Sequence, residues 1–104
     1  MTPPNIDTNT STNIKAHKDW FPIRSKIMLD AHYLPFCERR EIRQWAENIE
    51  KMLTKMSMLE VEYRRRNNNH SLLGIAKLQD EINLAVAPMA RKISKRALLA
   101  LLAK

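Results

Sequence analysis

A protein metal site needs three or four His, Cys or carboxylate ligands at set spacings. This chain offers His17, His32, His70 and a single cysteine, Cys37, and none of them fall in a CxxC or HxxxH pattern. His32 and Cys37 straddle Pro35 and could meet, but two ligands do not make a site. The expectation is no metal and no cofactor, with the histidines structural or solvated. Cys37 as a nucleophile would need a base and an orienting group in a cleft; a small core residue is the simpler reading. The carboxylates of Asp80 and Glu81, and of Glu60 and Glu62, read as solvated faces. No catalytic residue is assigned, and the chain is read as non-enzymatic.

The arginines carry more information. Arg64, Arg65 and Arg66 run directly into Asn67, Asn68 and Asn69. Guanidinium groups fork onto phosphate oxygens, and amides can reach base edges. A second cluster, Arg91, Lys92, Lys95 and Arg96, lies on a helical stretch. The formal charge is +7, and it is focused: residues 64–66 contribute +3 and residues 89–104 contribute +5, so the remainder is nearly neutral. Charge gathered in two short patches points to a polyanionic or acidic partner rather than to general solubility. The candidate contact residues are Arg64, Arg65, Arg66, Asn67, Asn68, Arg91, Lys92, Lys95 and Arg96. The partner they suggest is DNA or RNA, or an acidic protein surface.

Several features weigh against a known nucleic-acid module. Gly74 lies inside an apolar stripe and not at a helix-turn-helix turn, and no RNP, KH or zinc-finger pattern is present. Six aromatic residues leave little for base stacking. A basic cap that satisfies a helix C-terminus explains the first patch equally well. Six methionines suit an adaptable protein interface. The leading expectation is an accessory or regulatory protein that binds nucleic acid through both basic patches. The alternative is a regulator or inhibitor, of the kind a phage or mobile element carries, docking on an acidic partner. Binding of the segment 92–104 to a membrane surface is a weaker reading; Leu98, Leu99, Leu101 and Leu102 are more simply core or dimer contacts.

The elements that position these residues must be helices. The 104 residues hold one glycine and five prolines, against a usual glycine share of roughly 7%. Tight hairpins, phosphate-cradling loops and dinucleotide folds all need glycine at fixed places. Residues 42, 45, 49, 52, 56, 59 and 63 form an unbroken heptad stripe, Ile42 to Tyr63. Leu72, Ile75, Leu78, Ile82, Val86, Met89 and Ile93 form a second stripe of equal span. Folding back at the asparagines pairs Tyr63 with Leu72, Leu59 with Ile75, Met56 with Leu78, Met52 with Ile82, Ile49 with Val86, Trp45 with Met89, and Ile42 with Ile93. The expected fold is all-α: an antiparallel hairpin of residues 37–63 and 71–103, with Ala46 and Leu53 broadening the first stripe toward a third helix. That third helix covers 21–34, starts at an Asp19 N-cap with Pro22 in its first turn, buries Trp20, Ile23, Ile27, Ala31 and Leu34, and stops at Pro35. The alternative is one unbroken helix through 64–70, paired across a dimer; a homodimer would also help bury the hairpin seams. Pro88 is expected to kink or restart the last helix. Residues 1–18 are expected to be a disordered tail, because an Asn/Thr-rich stretch has little to bury, and 19–104 to form one helical domain. The two basic patches then sit about 30 Å apart along the hairpin, near the ~34 Å repeat of a duplex. In this hairpin Arg39, Arg40 and Arg43 add charge beside residues 91–96. A lone cysteine, the absence of a basic-then-apolar leader and of a run near ~18 apolar residues suggest a cytoplasmic or nucleoid-associated protein.

Overall fold

A computed structural model describes residues 13–67 and 69–103. It consists of α1 (His17–Ala31), α2 (Phe36–Arg66) and α3 (Asn69–Leu102), with no strand among the described residues. The all-α expectation holds. Both hairpin helices run longer than expected, by one to three residues at most ends.

The first helix begins earlier than its sequence suggests. Ala16, in extended backbone, is the N-cap residue, and Asp19 is third in the helix rather than its cap. The Asp19 carboxylate reaches back to accept the N–H groups of Lys15 at 3.0 Å and Ala16 at 3.2 Å, which is the carboxylate half of a capping box. Pro22 consequently falls in the second turn. It forgoes a bond to the Lys18 carbonyl, and it does so on the exposed side of the helix. Residues 13–18 also depart from the expected tail. Ile14 is fully buried. Its N–H donates to Asn83 Oδ1 at 2.8 Å, and Asn83 Nδ2 donates to the Ile14 carbonyl at 3.2 Å and to the Gln79 carbonyl at 2.8 Å. The remainder of the expected tail, residues 1–12, lies outside the described residues.

Pro35 occupies the N-cap position of α2, with φ −59° and ψ 156°. The buried stripe of α2 is Ile42, Ala46, Ile49, Leu53 and Met56. Trp45 and Met52 are only partly buried. The stripe is rotated toward Ala46 and Leu53 because α2 must face two neighbours at once, α3 and α1. From α3 come Ile82, Val86, Ile93 and Ala97, and from α1 come Trp20, Ile27 and Ala31. Trp20 meets Trp45 edge-on, with ring centroids 5.9 Å apart, a favoured aromatic arrangement. The Trp20 indole N–H donates to Glu50 Oε2 at 3.0 Å, so its one polar atom is satisfied inside the core.

The hairpin turn uses asparagine where glycine is common. Asn67 takes left-handed backbone (φ 53°, ψ 46°), and its N–H returns to the Tyr63 carbonyl at 2.6 Å. Asparagine tolerates this conformation better than other non-glycine residues, and it ends α2 there. The break removes the reading of one continuous helix through 64–70. Asn68 lies outside the described residues. Three observations fix the register near the expected one. Arg96 reaches Glu38; Ile42, Met89 and Ile93 surround one depression; and a Cβ at Gly74 would stand 3.0 Å from Leu59 Cδ1. At the turn the expected pairing fails. Leu72 is 47% exposed, and Ser71 is buried in its place. A small side chain fits where the two helices converge, whereas leucine is carried to the flank.

α1 lies along α3 and antiparallel to α2, over the half of the hairpin remote from the turn. Its partners there are Glu50, Arg39 and Arg43 of α2 and Ala90 through Leu98 of α3, while Ile14, just before it, meets Asn83. Toward the turn, between Met56 and Ile82, Ser71 is the one buried residue among those described. α3 continues through Pro88 without a break, so of the kink or restart expected there the restart does not occur. Pro88 and the Leu84 turn it disrupts are both exposed.

Candidate nucleic-acid interface

Arg64, Arg65 and Arg66 form the last turn of α2 and are all exposed. They stand at the carbonyl end of the helix, where cations are favoured. Arg66 lies 4.0 Å from the Glu62 carboxylate, with both side chains substantially exposed, an arrangement that neutralises little. Arg64 and Arg65 have no ion pair among the described residues. Arg65 borders a shallow depression with Lys55, Met58 and Val61. Asn67 is exposed beside them, with its backbone committed to the cap.

The C-terminal cluster is differently arranged. Arg91, Lys92, Lys95 and Arg96 are all exposed, but they do not share one face. Residues four apart align on a helix, and adjacent ones diverge by about 100°. Arg91 and Lys95 border a groove with α1, near Ile23, Lys26 and Asp30. Lys92 and Arg96 border a different depression, with Glu38 and Glu41. Arg96 Nη2 is 2.5 Å from the Glu38 carboxylate, so its charge is already engaged. The length of α2 from Glu38 to Arg65 separates this end from the turn by about 40 Å, more than the spacing expected from sequence.

Other expected placements change as well. Cys37 is exposed rather than a core residue. Leu98, Leu99, Leu101 and Leu102 are each at least 45% exposed, so the core reading of these leucines does not hold. No three His, Cys, Asp or Glu side chains come together among the described residues. No described helix is long and apolar enough to cross a membrane.

One arrangement is not evident from the sequence. Arg39 and Arg43 do not extend the 91–96 cluster as expected. They face α1 and meet Arg24, Met28, Ala31 and His32 around a concavity. The i,i+4 spacing of Arg39 and Arg43, and of Arg24, Met28 and His32, is the signal that could have grouped them, but only once the rotation of α1 against α2 was known. No protein-family model matches the chain, and neither a curated protein nor a solved structure does.

Proposed function

We propose that the protein is a non-enzymatic accessory or regulatory factor that binds nucleic acid, with the hairpin turn as its principal phosphate-binding element. The observation that carries this reading is the set of three consecutive exposed arginines at the end of α2, opposed by a single loose ion pair to Glu62. A convex tip with this charge suits a phosphate backbone better than a small molecule, which needs a concave and mostly apolar pocket. The C-terminal cations add positive potential that draws a polyanion toward the rod, while Arg96 is held by Glu38.

Electrophoretic mobility shift with mixed-sequence DNA and RNA tests the reading. Submicromolar binding is expected at low salt, falling steeply between about 50 and about 200 mM salt as counterions are released. The combined variant Arg64→Ala, Arg65→Ala, Arg66→Ala should weaken binding to all sequences alike. It should also reduce the slope of log K against log salt by about three, one for each phosphate no longer neutralised. An unchanged slope removes the turn from the interface. No binding at low salt overturns the nucleic-acid reading.

A further inference from the structure

The concavity between α1 and α2 has a volume of about 320 Å³ and is bordered by Arg24, Arg39, Arg43 and His32, over a floor that includes Met28 and Ala31. Three arginines thus border one space. Arg24 is ion-paired with Glu50, whose Oε2 lies 2.8 Å from Arg24 Nε and also accepts from Trp20. The Arg24 approach is close but not aligned as a hydrogen bond, and the buried Nε of both Arg24 and Arg39 is left without a hydrogen-bond acceptor. The Arg39 guanidinium also stands over the Phe36 ring, 5.8 Å from its centroid, a favourable cation–π contact that supplies no hydrogen-bond acceptor to its Nε–H.

Two features are left unfavourable: the clustered like charge and the unaccepted Nε–H groups. Like charges repel more strongly where solvent is partly excluded. A buried N–H donor without an acceptor is costly, and such groups are rare enough in folded proteins to call for an unseen partner. One ligand chemistry answers each point: a compact anion with several acceptor oxygens. Arginine is the side chain best matched to it, because its planar fork pairs with phosphate in two parallel bonds.

We propose that this concavity is an oxyanion site of phosphate class, formed by Arg24, Arg39 and Arg43 with His32 at its edge. It lies at the opposite end of the hairpin from Arg64–Arg66, on the face that α1 and α2 share. It therefore does not depend on the turn acting on nucleic acid. The phosphate can come from a nucleic-acid backbone or from a small phosphorylated molecule, and the site takes the same group in either case.

Two-dimensional ¹⁵N spectra of the full chain resolve arginine Nε–H groups and report on the site directly. Inorganic phosphate should shift the Arg24 and Arg39 Nε–H signals saturably, whereas sodium chloride at equal ionic strength should not. Arg43→Gln, at an exposed position that does not support the core, should weaken phosphate binding about tenfold, a change of about 1.4 kcal/mol. The combined Arg64→Ala, Arg65→Ala, Arg66→Ala variant should leave phosphate binding unchanged. Both results sustain the site even if the turn proves not to bind nucleic acid. Adding a short single-stranded DNA then identifies the source. If it displaces inorganic phosphate from the Arg24 and Arg39 signals, the backbone is a ligand of this site; if those signals stay saturated, a small phosphorylated molecule is. Equal shifts of all arginine signals under phosphate and chloride would overturn the proposal, as would full phosphate affinity in Arg43→Gln.

Discussion

The clamp between Asn83 and Ile14 makes a demanding test of how the N-terminal segment is held. Asn83 treats the Ile14 peptide as a strand neighbour would, accepting its N–H and donating to its carbonyl. These two bonds should stabilise by about 1 kcal/mol each. Ile14 is fully buried, and burying such a side chain is worth about 1.5–3 kcal/mol. Ile14→Ala should thus cost about 3 kcal/mol once the residual void is included. Asn83→Ala should lose these two bonds and the one to the Gln79 carbonyl, and also loosen the segment that keeps Ile14 in place. Alanine's better helix propensity returns about 0.5 kcal/mol, leaving a net loss of about 2–3 kcal/mol. If both residues act through one clamp, the double variant should lose only about 4 kcal/mol, a coupling of at least about 1 kcal/mol. Urea unfolding followed by ellipticity and by the fluorescence of Trp20 and Trp45 measures all four corners of this cycle. Asn83→Asp adds a control. It keeps an acceptor for the Ile14 N–H but sets a carboxylate against the Ile14 and Gln79 carbonyls, and it should be no milder than Asn83→Ala. Additive losses, within about 0.5 kcal/mol, would refute the clamp and make Ile14 an ordinary buried residue held by packing alone.

Two further substitutions probe the hairpin. Asn67→Gly should be neutral or slightly stabilising, because glycine enters left-handed backbone without penalty, whereas Asn67→Val should cost about 1–2 kcal/mol in thermal unfolding. Equal stability of the two would mean that the turn does not require φ 53°. Gly74→Ala gains about 1 kcal/mol of helix propensity and asks Leu59 Cδ1, 3.0 Å away, to give by a few tenths of an ångström. Leu59 is half-buried and can shift, so the expected net is a small rise in melting temperature; a clear fall would show that the two helices cannot separate at that point.

The hairpin was legible because its signal is local and repeated. Ile42, Ile49, Met56, Ile82, Val86 and Ile93 recur at heptad spacing, and all are buried. What the period could not supply was the rotation of each stripe. Trp45 and Met52 yield the centre to Ala46 and Leu53, because a third helix competes for the same face. Ile14 was missed for a related reason. Its neighbours in sequence are polar, and the Asn83 side chain that fixes it is 69 residues away. Exposure of Arg64–Arg66 followed directly from the turn. The division of Arg91, Lys92, Lys95 and Arg96 between two depressions, and the meeting of Arg24 with Arg39 and Arg43, depend on how whole helices are rotated. No single segment encodes that.

The uneven coverage of the hairpin by α1 has a dynamic consequence. Local opening is easiest where few side chains are buried, and from Met56 around the turn to Ile82 only Ser71 is buried among the described residues. The three-helix end should therefore hold its amide protons far longer in hydrogen exchange than the turn end. Arg64, Arg65 and Arg66 are mounted on the yielding end of the rod. They can adjust to an irregular surface by fraying a turn of helix, while Trp20, Leu53 and Val86 stay packed at the other end.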